Sequence, residues 1–329
     1  MITLAVETSC DETSVAVLED GHRLRANLVA SQIELHRTYG GVVPELACRK
    51  HSEVINALLQ EAKTQSGVAW KDIGLVASTR GPGLVGALVV GMASAKALSL
   101  SLGVPLVGVN HLEGHVYANF LEHPELPFPI LCLLVSGGHT ILLWMESHGV
   151  YRTLGETRDD AAGEAFDKVA RVLGLGYPGG PVVDRLAQAG RSTVPFPRAL
   201  RGQPGYDFSF SGLKTAVLNF HRKDAGQTPM ADVCASFQEA VVDALVMQVG
   251  RALEAERPAT VVMAGGVACN SRLRQRMSER CSAAGVPLVF PSPAMCTDNA
   301  AMIACAGYHR YRSGQFDTLD LEVTPSLSL

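Results

Sequence analysis

"TLAVETSCDETSVAVLEDG" (residues 3–21) and "PILCLLVSGGHTILLWMESHG" (129–149) share one design. In each, an apolar run reaches a short polar turn, Thr8 to Thr13 in the first and Ser136 to Thr140 in the second, and another apolar run follows. That is a β-hairpin signature, and its recurrence predicts one α/β lobe built twice. Beyond the first hairpin, "LACRKHSEVINALLQEAK" reads as a helix, "DIGLVAST" as a strand, "VGALVVGMASAKALSLSLG" as a helix and "PLVGVN" as a strand. This order describes a mixed α/β lobe.

The Pro-rich "HPELPFP" (123–129) is a natural hinge. The second lobe continues through "DDAAGEAFDKVARVLGLG", a polar Gly/Pro/Arg-rich region (190–212) and a long helix near 230–256. The strand "ATVVMAGG", a helix from about Ser271 and the strand "PLVFPSP" complete it, and a last helix opened by Asp298 is expected to return to the first lobe. The expected organisation is residues 1–126 plus 299–329 as the first lobe and 127–298 as the second.

Hydrophobic residues make up 47% of the 329 and charged residues 18%, which suits a large buried core and excludes a disordered chain. A net charge of −4 argues against gripping nucleic acid by bulk electrostatics, so basic residues such as Lys214, Arg222, Lys223, Arg272 and Arg274 would have to act locally. The eight cysteines form no C-x-x-C pair, so free thiols in a reducing cytoplasm are expected. "MITLAVETS" shows no secretory or transit leader, and the apolar "LVGALVVGMASAKALSLSLG" is interrupted by Lys96 and reads as a buried helix. A cytoplasmic protein without a membrane partner is the expectation.

"VNHLEGHVYANF" (109–120) places His111 and His115 one helical turn apart, on one face. A metalloprotease would need H-E-x-x-H. Glu113 instead sits roughly 200° around the helix from His111, so the general base is missing, and a surface helix with two unrelated histidines is the plain alternative. Asp298, at an expected helix N-cap, is the candidate third ligand, plain capping being its alternative. Two imidazoles and a carboxylate suit an open zinc or non-haem iron site.

Three glycine turns could present backbone N–H groups to an anion: "SGGHT" with Gly137 and Gly138, "PGGPVVDRLA" with Gly179 and Gly180, and "MAGGVACNSRL" with Gly265 and Gly266. Pro181 reads as N1 of a helix with Asp184 in its first turn, and Asn270 opens another helix. Asp160, Glu164 and Asp167 form an acidic stripe that suits ribose hydroxyls. "RGPGLVGALVVG" (80–91) lacks the G-K-[ST] of a P-loop and reads as helix packing or a partner surface.

Taken together, "ETSCDETSVAV", "NHLEGH", "VSGGHT", "DDAAGEAFDKVARVLGLGYPGGPVVD", "FSFSGLKTAV" and "GGVACNSRLR" resemble the bacterial tRNA N(6)-adenosine threonylcarbamoyltransferase family, formerly classed as O-sialoglycoprotein endopeptidases. The resemblance runs from about residue 2 to 310. It implies the actin, sugar kinase and Hsp70 fold, two lobes of duplicated ribonuclease-H-like topology with a nucleotide in the cleft. It also implies transfer of a threonylcarbamoyl group from threonylcarbamoyl-adenylate to the exocyclic amine of the adenosine 3′ of the anticodon in tRNA.

By the same resemblance, His111, His115 and Asp298 match ligands of one divalent metal ion, Fe(2+) or Zn(2+). Val135, Ser136, Gly137, Gly138, His139, Asp167, Gly180, Asp184 and Asn270 match adenylate-binding positions, and Asp11, Glu12 and His139 are candidate catalytic bases. Archaeal and eukaryotic relatives carry a metal-reaching tyrosine where this chain, like bacterial members, has Leu134. Implied helpers are a paralogous nucleotide-fold protein and a small ATPase. A kinase or a non-enzymatic ATP switch of the same fold is the competing reading.

Overall fold

Each hairpin is the middle of a five-stranded sheet. In the computed structural model, which describes residues 1–329, β1 (Ile2–Glu7), β2 (Glu12–Glu19) and β3 (Arg23–Ser31) run antiparallel, and β4 (Ile73–Gly81) and β5 (Leu106–Asn110) add in parallel on the other side of β1. The order is β3-β2-β1-β4-β5. The second sheet repeats it with β6 (Ile130–Val135), β7 (Thr140–Ser147), β8 (Val150–Glu156), β9 (Thr260–Ala264) and β10 (Leu288–Val289), in the order β8-β7-β6-β9-β10 with the same sequence of antiparallel and parallel pairs. The duplication is therefore one of topology as well as of pattern.

Burial explains which strands were legible in the sequence. β6 is buried at every position and β1 at all but its first, so their apolar runs are unbroken, as strands covered on both faces require. The edge strands β3 and β8 are mostly exposed or half-buried and carry polar residues, and the sequence pattern did not mark them.

Two units result, Met1–Leu126 with Thr297–Leu329, and Pro127–Cys296. The chain returns to the first unit at Thr297 rather than at residue 299, which puts Asp298 in the same unit as His111 and His115. Helices α1 (Ile33–Arg37), α2 (Pro44–Ser66), α3 (Val85–Leu102) and α4 (His111–Glu122) belong to the first unit. The second holds α5 (Ala162–Val172), α6 (Gly179–Ala187), α7 (Ser211–Asp224), α8 (Met230–Glu256), α9 (Ser271–Ala284) and α10 (Pro293–Cys296). The last helix, α11 (Ala300–Arg312), closes the first unit against α4.

The α4–α11 contact depends on Gly114, where a Cβ would lie 2.7 Å from Ile303 Cδ1. The tail covers the edge of β5: Asp317 N donates to Leu106 O, and Asp317 Oδ2 accepts from Gly108 N. By length and composition α3 and α8 could each cross a membrane. The apolar window of α8 is 78% buried, in the core of the second unit, and that of α3 only 33%. Thus α3 is not the buried helix expected, and Val85, Val89 and Leu100 face outward.

Candidate metal centre and substrate-binding turns

Helix α4 starts directly from β5, with Asn110 as its cap accepting from Leu112 N at 2.9 Å. His111 and His115 then follow one turn apart, their ring centroids 4.7 Å from each other. Asp298 Oδ1 lies 3.5 Å from His111 Nε2 and 3.2 Å from His115 Nε2. Every residue of α4 from His111 to Phe120 is buried, which rules out the surface-helix alternative. Glu113 turns away and pairs with Arg310 at 3.3 Å.

Asp298 is not the helix cap the sequence suggested. Asn299 caps α11, its Oδ1 accepting from Met302 N at 3.2 Å, while Ala300 N donates to Ser14 Oγ at 2.8 Å. With those N–H groups satisfied by neighbours, the Asp298 carboxylate is directed to the imidazoles.

Behind His111 stands a residue that the motif reading missed. Glu7, fully buried at the end of β1, lies 3.1 Å from His111 Nδ1 and also accepts from Ser9 N and Thr79 Oγ1. Its signal in the sequence was a lone carboxylate closing an apolar strand. Burial pushes the Glu7 carboxyl up, but the charge and hydrogen bond of His111 outweigh it, and the net shift is downward. Burial likewise opposes a charge on His111, yet Asp298 and Glu7 raise it to about 9.

The donor set suits a divalent cation. The His111, His115 and Asp298 ligand atoms all lie within 4.8 Å of one another. Both ring nitrogens of His115 are buried and neither makes a hydrogen bond, although Asp298 is close to Nε2. A buried imidazole without a hydrogen bond is costly unless something else takes its lone pair. A carboxylate holding the far nitrogen of a ligating histidine is also the usual support of a metal site. Leu134, fully buried in β6, offers no ligand atom.

Asp11 and Glu12 stand at the turn between β1 and β2. His51 braces that turn by bonding Cys10 O at 3.0 Å and Thr13 Oγ1 at 2.8 Å. Burial, then the Asp11 and Asp298 carboxylates, push Glu12 up to about 9 against a hydrogen bond from Ser31.

In the second unit the turn Ser136 to His139 is closed by Ser136 N donating to His139 O at 2.8 Å. Gly163 at the start of α5 lets the helix approach, since a Cβ there would meet Ser136 O at 2.5 Å. Gly137 and Gly138 are exposed, and a Cβ on either would meet no atom within 4 Å. Their outer side is open to a ligand.

The acidic stripe does not hold together. Asp160 precedes α5 instead of lying on it, and Lys168 binds both Asp160 (2.6 Å) and Glu164 (2.8 Å). Asp167 accepts from Gly179 N at 2.7 Å and from Gly180 N, tying α5 to α6, and burial raises its pKa. Helix α6 begins at Gly179, so Pro181 is its third residue, not N1, and Asp184 lies beyond the first turn. Asp184 binds Ser271 Oγ at 2.7 Å, and Asn270 caps α9 while donating to Gln238 Oε1 at 2.8 Å. Asp184, Ser271 and Asn270 are thereby joined through the start of α9.

The turn at "RGPGLVGALVVG" is occupied by the chain itself. Gly83 N donates to Pro325 O at 3.0 Å and Leu84 N to Ser9 O at 2.8 Å, so those donors are not presented to an anion. Arg272 is held by Glu239, and Arg274 by the Ala268 and Pro291 carbonyls, which leaves Lys214, Arg222 and Lys223 of α7 as the more available of the expected basic residues.

The TsaD family model, described as tRNA N6-adenosine threonylcarbamoyltransferase, matches residues 23–305. The chain belongs to this family. The tRNA N6-adenosine threonylcarbamoyltransferase of Carboxydothermus hydrogenoformans is 55% identical to it over 328 residues, covering 100% of this chain and 98% of the relative. That of Moorella thermoacetica is 53% identical over 330 residues, covering 99% and 96%. Membership makes the chain a transferase that modifies adenosine in tRNA. T. kodakarensis HypF superposes with a TM-score of 0.67 over 95% of this chain and 48% of its own, at 14% identity, which speaks for the fold alone. With the repeated strand order, that places the chain in the actin and sugar kinase class of two-lobed α/β folds.

Proposed function

We propose that the threonylcarbamoyl group comes from threonylcarbamoyl-adenylate and that His111, His115 and Asp298 hold the divalent ion, Fe(2+) or Zn(2+), that the reaction uses. The observation carrying this reading is the buried His-His-Asp cluster with Glu7 behind it. When bound, the ion supplies Lewis acidity and an open coordination position.

The donor is a mixed anhydride, already activated, so the protein's own residues chiefly orient and shield it. Gly137 and Gly138 N–H groups, beside Val135, Ser136 and His139, receive the phosphate charge as it grows on the leaving group. Asp167 and Gly180 take the ribose end, with Asp184 and Asn270 fixing the start of α9 beside it. The adenosine N6 forms a bond to the carbamoyl carbon, the bond to the phosphate oxygen breaks, AMP leaves, and N6 gives up a proton. Asp11, Glu12 and His139 are the candidates to accept that proton, Glu12 only after it has released the proton that it keeps below about 9 in the metal-free protein.

The remaining partners follow the same reading: a paralogous nucleotide-fold protein and a small ATPase act with the chain in the cytoplasm. The outward apolar face of α3, with Val85 and Val89, supports it as the docking helix. The deciding experiment incubates the protein with threonylcarbamoyl-adenylate and unmodified tRNA. Modified adenosine with release of AMP is expected. ATP turnover with a small hydroxyl acceptor instead would indicate a kinase, and ATP binding with neither reaction an ATP switch.

A further inference from the structure

Cys269 and Cys296, to which the proposed reaction assigns no role, stand in the second unit. The two thiols are neighbours, and the Cys296 S–H donates to Pro291 O at 3.4 Å. Arg274 lies over both, with Nη2 3.5 Å from Cys296 Sγ and 3.9 Å from Cys269 Sγ. The guanidinium is fixed by the carbonyls of Ala268 (2.6 Å) and Pro291 (3.1 Å) and by the Phe290 ring, 4.4 Å away, and it makes no ion pair. The sulfurs are therefore groups able to take up negative charge in contact with a fixed cation. Cys269 is half-exposed and Cys296 fully buried.

We infer that Cys269 is a peroxide-reactive modification site, with Cys296 as the thiol that resolves it into a disulfide. Partial exposure beside a cation is the environment that activates a cysteine, and a second thiol at hand directs oxidation to a reversible product. The neighbouring Cys296 thiol and the charge of Arg274 outweigh burial and bring the Cys269 thiol down to about 7. Cys10 and Cys48 are also half-exposed, but burial and the Asp11 carboxylate push Cys10 well above the usual thiol range.

The chemistry balances with a hydroperoxide as oxidant. The Cys269 sulfur attacks one peroxide oxygen, the O–O bond breaks, and sulfenic acid forms with release of water when the oxidant is hydrogen peroxide. Cys296 sulfur then attacks the sulfenic sulfur, a second water leaves, and the S–S bond closes. The product would tie the turn before α9 to α10. Because Cys269 adjoins Asn270, oxidation is expected to weaken nucleotide binding.

The test treats the full chain with low hydrogen peroxide and follows alkylatable thiols by intact mass and peptide mapping. Expected are joint loss of both thiols, a 269–296 cross-linked peptide that a reductant reverses, and dimedone trapping at Cys269 in Cys296→Ser. Loss at Cys10 or Cys48 as fast as at Cys269, or oxidation of Cys269 without the cross-link, would overturn the inference. The wild-type comparison among cysteines stands even if a serine variant fails to fold.

Discussion

The Glu7 carboxylate, at the end of β1, lies 3.1 Å from Nδ1 of His111, the first residue of α4, so a strand of the sheet orients a ring whose other nitrogen faces Asp298. This contact fixes the tautomer that leaves His111 Nε2 as a lone-pair donor. Glu7→Gln keeps the shape but removes the charge. It should lower metal affinity about 10–100-fold while the fold survives, as measured by chelator competition with metal analysis. Unchanged affinity would remove Glu7 from the site.

His111→Ala leaves one imidazole and one carboxylate, too few to retain the ion. The candidate adenylate residues Asp167, Gly180, Asp184 and Asn270 all lie in the other unit. The variant should therefore lose metal and transfer while nucleotide titration changes by less than about 0.5 kcal/mol, the scale of a substitution away from a binding contact. Normal metal content with normal transfer would end the metal assignment.

Metal uptake should also depend on pH through the same histidine. With His111 raised to about 9 in the metal-free protein, a proton occupies the ring below that pH and the ion must displace it. Apparent affinity should rise with pH, approaching ~10-fold per unit below about 9, and flatten above. Titration in buffers of different ionisation enthalpy would count the released proton. A flat profile from pH 6 to about 9 would contradict the Glu7–His111–Asp298 coupling.

Glu12 gives a stability prediction of unusual sign. Its folded pKa is raised from 4.5 to about 9, so between those values the folded protein keeps a proton that the unfolded chain releases. Stability of the metal-free protein should fall as pH rises through that window. Glu12→Gln, which cannot ionise, should be more stable than wild type at pH 8 by roughly 1–3 kcal/mol. Chemical denaturation at pH 5 and pH 8 checks it, since the gain should appear only at the higher pH.

His111 and His115 were legible because helical spacing alone brings i and i+4 onto one face. Glu7 was not, because its role depends on β1 ending beside the start of α4, a relation between distant segments. Asp298 and Asn299 are neighbours that could each cap a helix, and only the backbone decides between them: Asn299 is extended, and its side chain folds back to Met302 N. Lys168, four residues after Glu164, could have warned that the acidic stripe was neutralised. The repeated sheet was readable from its buried central strands and not from its polar edges.

Glu113 gives the sharpest contrast with Glu7, because the two carboxylates lie near the same histidines and serve different ends. Glu113 is 3% exposed, and its charge meets Arg310 at 3.3 Å on the side where α11 packs. Glu113→Gln leaves that guanidinium with a weaker partner in a mostly buried setting. It should cost about 1–3 kcal/mol of stability, discounted because Arg310 keeps some solvent contact. Metal content and transfer should persist in whatever fraction stays folded, the reverse of the Glu7→Gln pattern. If Glu113→Gln instead abolished transfer at full metal occupancy and normal stability, Glu113 would be acting on the substrate. The separation of a supporting carboxylate from a metal-orienting one would then be wrong.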